Sequence, residues 1–217
     1  MFGGQGAPLV PIGDLLLFPD YNACLNLGGF ANGSMSKNGD IIAYDICAVN
    51  TIMNSLAEKK GMPFDKGGEL AKNGTLIPEL FSDLGALKFY KINSPKSLGI
   101  EWVNSVIFPL LAKFNDHNVE NILHTYARHI SFEISRNFSK NQHVLVTGGG
   151  AKNLFLMSLL KTDCLATLFL PEEKLIDFKE ALIFGFLGVL RFRNEVNCLS
   201  SVTGASVDHS SGHVFFP

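Results

Sequence analysis

The feature that most restricts how this chain can fold is the apolar run Val144-Leu145-Val146-Thr147, which stops at three consecutive glycines, Gly148, Gly149 and Gly150. Its β-branched composition predicts a short buried strand over His143 to Thr147. From about Asn153 to Leu160 the spacing becomes helical. A strand leading through glycines into a helix points free backbone N–H groups at one place, and no Cβ blocks a flat base or a phosphate there. A tight strand-to-helix turn without a ligand accounts for the same residues. The segment is neither a Walker loop nor G-x-G-x-x-G, since both the Lys-Ser/Thr pair and the spacing are missing.

Glycine also clusters at Gly3-Gly4-Gln5-Gly6, Gly28-Gly29 and Gly67-Gly68. Gly28 and Gly29 sit inside or at the end of a strand in Asn26-Leu27-Gly28-Gly29-Phe30-Ala31-Asn32, where a bulge or a ligand approaching the backbone explains them. Two such sites in one domain favour a nucleotide cleft over two unrelated turns.

Around these sites, Asn38-Gly39 between strand-like runs signals a hairpin. Helices are predicted over about Val49 to Lys60, Glu101 to Phe114, Val119 to Phe138 and Asp177 to Phe192, with a strand near Ala166 to Leu170. Phe64 to Leu84 reads as a loop with one or two short helices, and Pro95 to Gly99 as a second loop. Val119, Ile122, Leu123, Tyr126, Ala127, Ile130, Ile134 and Phe138 form one apolar stripe. A hairpin, helices and then strand-helix-strand-helix spell a mixed α/β domain, its sheet flanked by helices. Eighteen phenylalanines predict an aromatic core.

Eighteen Lys and Arg against 20 Asp and Glu give a net charge of -2 with no basic block, which argues against nucleic-acid binding. Ala181 to Leu190, the longest membrane candidate, is far short of the ~20 apolar residues a span requires. With no signal-peptide pattern, a soluble cytoplasmic protein is expected, its four scattered cysteines (Cys24, Cys47, Cys164, Cys198) reduced and mostly buried.

Three carboxylates are candidate site residues. Asp45 ends the second hairpin strand. Asp177 and Glu180 share a helix face, and the helix dipole alone would explain Asp177 in a first turn. Glu180 heads Ala181-Leu182-Ile183-Phe184 on a helix expected to be largely buried. His209 and His213 lie in a glycine- and serine-rich tail without a third metal partner, so no metal site is expected of them. His124 and His129 do not share a helix face, and no nucleophile–base arrangement is visible.

Gly3-Gly4-Gln5-Gly6-Ala7-Pro8-Leu9-Val10-Pro11, Asn26 to Asn32, Pro95-Lys96-Ser97, Thr147 to Asn153, Glu180-Ala181 and Val202-Thr203-Gly204-Ala205 occur in this order. The chain therefore resembles the anhydro-N-acetylmuramic acid kinases nearly end to end. The resemblance implies the ribonuclease H-like, actin-like ATPase fold, in which two lobes clamp ATP with Mg2+. It also implies phosphorylation of 1,6-anhydro-N-acetylmuramic acid, water opening the anhydro bridge as the γ-phosphoryl group goes to the 6-oxygen. By that likeness Gly28 and Gly29 belong to the second phosphate loop. Gly148, Gly149 and Gly150 flank the adenosine with Asn153 close by. Glu180 reaches the sugar pocket, where Asp177 and Asp45 are further candidates.

The sequence departs from the family pattern at Ile46-Cys47-Ala48-Val49, where a Thr-Gly-Pro-Gly stretch is usual and a bulkier, less polar loop is expected. It departs again at Ile100, where the family has an arginine. The family's catalytic base lies just ahead of the Gly3-Gly4-Gln5-Gly6 element, where only Met1 and Phe2 stand here. The expectation is a single domain over residues 1–217, the C-terminal lobe of a two-lobed kinase, inactive by itself for want of an N-terminal lobe. A non-catalytic module that kept the fold, or a subunit completed by a separate N-terminal chain, are the rivals. The face from Gly3 to Pro11 is expected to be exposed and partly apolar, and either to self-associate, for instance as a homodimer, or to be mobile.

Overall fold

The computed structural model describes residues 2–4, 8–37, 40–92 and 96–215. The first element, α1 (Val10–Leu17), is a helix not among those expected from the sequence. Pro11 stands in its first turn, where a missing N–H is no loss. Strands β1 (Ala23–Leu27), β2 (Phe30–Lys37) and β3 (Asp40–Ala48) follow as an antiparallel meander, with Lys37 opposite Asp40. The expected hairpin is therefore β2–β3, although its turn residues Asn38 and Gly39 lie outside the described residues. Helix α2 (Asn50–Glu58) buries Ile52, Met53, Leu56 and Ala57. Short helices α3 (Glu69–Lys72) and α4 (Pro78–Gly85) occupy the Phe64 to Leu84 stretch.

The helix expected from Glu101 is α5 (Ile100–Trp102), a π turn (Val103–Ile107) and α6 (Phe108–Ala112). Pro109 has no N–H to donate, and the ladder widens just before it. Helix α7 (Val119–Ser135) is capped by Asn118, whose side chain accepts from the Asn121 amide at 2.8 Å. Then come β4 (His143–Thr147), a 3-10 turn (Gly149–Lys152), α8 (Leu154–Asp163), β5 (Thr167–Phe169), α9 (Glu173–Phe192) and α10 (Ser200–Thr203). No helix among the described residues is long and apolar enough to cross a membrane.

The sheet order is β3-β2-β1-β4-β5. β4 runs parallel to β1 and β5 parallel to β4, with α8 as the crossover that a parallel pair requires. Three antiparallel strands continued by two parallel ones, with helices on the faces, make the mixed sheet of a ribonuclease H-like domain. The main core lies between the sheet and α7, whose Ile122, Leu123, Tyr126, Ala127, Ile130 and Ile134 are buried. The Tyr126 hydroxyl donates to the Ala48 carbonyl at 3.0 Å. All four cysteines are free and buried.

The core is mainly aliphatic, with Tyr90 and Tyr126 among its few buried aromatics, rather than the aromatic one expected from the phenylalanine count. Among the described phenylalanines, Phe89 and Phe138 are buried, whereas Phe2, Phe64, Phe132, Phe169, Phe178, Phe184, Phe192 and Phe215 are exposed. Helix α9 is the second correction, because its apolar composition suggested burial all round. It buries a single stripe, Lys179, Ile183, Leu187 and Leu190, against Ile12 of α1 in a small separate cluster. Gly13 brings α1 close enough to touch Ile183.

At the end of that contact is a buried ion pair. Lys179 Nζ donates to Asp14 Oδ1 at 2.8 Å, with side chains 5% and 8% exposed, and Ser34 Oγ of β2 donates to Asp14 Oδ2 at 2.6 Å. Removing one buried charge strands the other. Lys179→Met is expected to cost about 3–5 kcal/mol in chemical denaturation, and the Asp14→Leu/Lys179→Met double variant to recover most of it.

His129 of α7 is fully buried beside the rings of Phe81, Tyr90 and Tyr126, and neither ring nitrogen has a partner among the described residues. Burial pushes its pKa from 6.5 down to about 3. The unfolded chain therefore binds this proton first, and stability is lost as the pH falls from about 6.5 towards 3, by up to ~1.4 kcal/mol per pH unit. Between pH 7 and 5 the wild type should lose about 2 kcal/mol more than His129→Leu in urea titrations.

Candidate functional site

Both glycine turns grow from the same edge of the sheet. Asn26 of β1 pairs in register with Thr147 of β4, so the chain leaves both strands side by side. Gly28 and Gly29 form the two-residue turn from β1 to β2, and the irregularity in the ladder falls one step further on, between Ala31 and Asn32. Their carbonyls accept from the start of α2: Val49 N to Gly29 at 2.8 Å, Asn50 N to Gly28 at 3.2 Å and Thr51 Oγ1 to Gly29 at 3.0 Å. The amides opening α2 thus hold the turn in place.

On the β4 side, Gly148 has φ +84°, a conformation that favours glycine, and a Cβ there would stand 2.6 Å from Asn26 Oδ1 and 2.8 Å from the Leu27 carbonyl. Gly150 is buried against Leu27. Asn50 Nδ2 donates to the Leu27 carbonyl at 3.1 Å, so Leu27 and Asn50 clasp the two turns together.

A cleft of about 1110 Å³ opens at this edge, and Gly28, Gly148 and Gly149 line it together. Gly29, Gly150 and Asn153 do not. Gly29 faces Thr51, Gly150 packs on Leu27, and Asn153 caps α8 by accepting from the Leu156 amide at 2.9 Å. All three carboxylate candidates line the cleft. Asp45 Oδ2 accepts from the Leu98 amide at 2.7 Å, and burial raises its pKa while that amide lowers it. Asp177 stands in the second turn of α9, so the dipole explanation lapses. It pairs instead with Lys152 at 2.7 Å, and Glu173 shares that lysine at 3.1 Å. These hydrogen bonds raise the Lys152 pKa and tie the glycine turn to α9. Glu180 lies on the exposed side of α9, not on a buried face as expected, and is open to the cleft.

The first and last sequence motifs meet on the rim, where Gly3 and Gly204 both line the cleft and Gly4 packs on Ala205. Gln5 to Ala7 lie outside the described residues, as does Pro95 of the Pro95-Lys96-Ser97 motif. Lys96 lines the cleft, donates to the Phe89 carbonyl at 3.1 Å and has its pKa lowered chiefly by burial. Ile46 to Val49 form no bulky loop at the site: they end β3, enter the start of α2 and are buried in the core. Ile100 is exposed and does not line the cleft. Among the described residues no three His, Cys, Asp or Glu side chains group as a metal site.

Sequence reasoning missed Asp14, Ser34, Lys179, Asn26 and Thr147, all of which line the cleft. The spacing of Lys179 with Ile183, Leu187 and Leu190 was the available signal for a buried lysine.

The family model for anhydro-N-acetylmuramic acid kinase matches residues 1–217. The anhydro-N-acetylmuramic acid kinase of one Bacillus cereus strain is 31% identical over 236 residues, covering 99% of this chain and 62% of the relative. That of Pasteurella multocida is 32% identical over 234 residues, covering 99% and 60%. The chain thus spans about three fifths of the length of these curated relatives. Among solved structures, component A of the (R)-2-hydroxyglutaryl-CoA dehydratase of Acidaminococcus fermentans superposes with a TM-score of 0.48 at 15% identity, over 80% of this chain and 63% of that one. With the sequence matched along its whole length and its motifs gathered on one cleft, the chain belongs to the anhydro-N-acetylmuramic acid kinase family.

Proposed function

We propose that this chain is the C-terminal, nucleotide-binding lobe of an ATP-dependent kinase that converts 1,6-anhydro-N-acetylmuramic acid to its ring-opened 6-phosphate in cytoplasmic cell-wall recycling. The observation that carries the reading is the shared cleft of Gly28, Gly148 and Gly149. A nucleotide laid across it has its phosphates over the Gly28 turn and its adenosine against Gly148 and Gly149, where absent side chains allow close approach. Phosphoryl transfer depends mainly on positioning and charge stabilisation, which suits a cleft without a nucleophile–base pair.

In the reaction, water adds at the anomeric carbon and gives its proton to a base, the bond from that carbon to the 6-oxygen breaks, and the 6-oxygen takes the γ-phosphoryl group as ADP leaves. Glu180 supports the sugar end, being an acceptor on the cleft wall one turn beyond the paired Asp177. The base belongs to the parent protein's segment ahead of Gly3, in an N-terminal lobe that closes the clamp. By itself the chain holds ATP weakly and turns nothing over. Mg2+ would be held chiefly by the nucleotide's phosphates and would supply charge neutralisation there, a mode of binding that asks for few protein oxygens. The outward apolar residues Phe178, Leu182, Val189 and Phe192 of α9 support self-association.

Gly149 gives the direct test. A Cβ there finds its nearest atom, Asn50 Nδ2, at an ordinary 3.7 Å, so Gly149→Val should fold normally. Calorimetry is expected to show ATP binding by the wild-type chain and at least a tenfold loss in this variant at unchanged melting temperature, about 1.4 kcal/mol. Equal affinities would count against the cleft as the nucleotide site. In the full-length parent, ADP release should depend on the anhydro sugar; a parent that binds both ligands and never releases ADP would be the non-catalytic module instead.

A further inference from the structure

Thr147 ends β4 as a hydroxyl following the buried apolar run Val144-Leu145-Val146. It is 1% exposed, lines the cleft, and its Oγ1 has no hydrogen-bond partner among the described residues. Leaving a buried hydroxyl unpaired costs stability, so such a group points to a partner from outside the chain. The other buried polar atoms in this condition, on Tyr90 and His129, do not line the cleft.

Its place in the sheet says which ligand group it meets. Thr147 immediately precedes Gly148 and stands in register beside Asn26, two residues before Gly28. It therefore lies at the floor between the turn assigned to the adenosine and the turn assigned to the phosphates. Building on the nucleotide reading above, we propose that the Thr147 hydroxyl donates a hydrogen bond to the phosphate nearest the ribose of a bound nucleoside di- or triphosphate. Rotation about one bond, χ1, aims the hydroxyl, and a bond to an anionic oxygen is stronger than one between neutral groups.

The test is calorimetric titration of the 217-residue chain with ADP and with adenosine, for the wild type, Thr147→Val and Thr147→Ser. Thr147→Val should weaken ADP about tenfold or more, leave adenosine unchanged, and be rescued by Thr147→Ser. Because valine removes an unpaired buried hydroxyl at nearly constant shape, the melting temperature of the unliganded Thr147→Val chain should hold or rise, by about 2–4 °C at most. Unchanged ADP affinity in Thr147→Val, or equal loss for ADP and adenosine, overturns the phosphate contact. A lowered melting temperature also overturns it, by revealing a structural partner. A wild-type chain that binds no ADP fails the nucleotide reading itself, and this contact with it.

Discussion

The parallel pairing of β1 with β4 is the constraint on which the cleft rests. The ladder runs from Ala23 opposite Val144 to Asn26 opposite Thr147, and parallel strands present their carboxyl ends on one edge. Each of these two strands runs into glycines at that edge. A slip of one residue would turn every side chain to the other face and carry Thr147 away from the cleft. Leu27 is the joint: its carbonyl accepts from Asn50, and Gly148 and Gly150 both approach it too closely for a side chain. The glycines at these positions are therefore needed first for packing, and the open floor that suits a nucleotide follows from it.

Three ion pairs, centred on two lysines, fasten the surroundings with different weights. Lys179 and Asp14 are buried and join α9 to α1, with Ser34 completing the link to β2. Charges taken out of water keep their pairing under most conditions because neither has a cheap alternative. Lys152 with Asp177 and Glu173 is exposed, and such pairs contribute little to stability. It links the glycine turn to α9, the helix that also carries Lys179 and Glu180.

The departures from the family pattern illustrate how far a motif can be read without coordinates. Ile46 to Val49 look like a loop stripped of its polar groups, yet they end β3, lead into α2 and are buried in the core. Asp45 and Asn50, the ends of that stretch, do face the site: Asp45 lines the cleft and Asn50 clasps its floor. Ile100 is solvent-exposed off the cleft. Neither Ile46 to Val49 nor Ile100 is among the residues that line the cleft.

The strand ending at Thr147, the pairing of β2 with β3, the stripe of α7 and the two glycine turns were legible from residue order, because periodicity and backbone freedom are local properties. The burial of α9 was not. Phe178, Leu182 and Phe184 have the same composition whether they face the core or solvent, and the choice depends on which stripe α1 covers. The pairing of Asp14 with Lys179 was also hidden, since 165 positions separate them and charge alone names no partner. Sequence by itself determined most of the elements, the family and the glycine runs that end β1 and β4. Only the tertiary structure decided which of those glycines and carboxylates share a cleft, because convergence depends on strand order and register, which no single segment encodes.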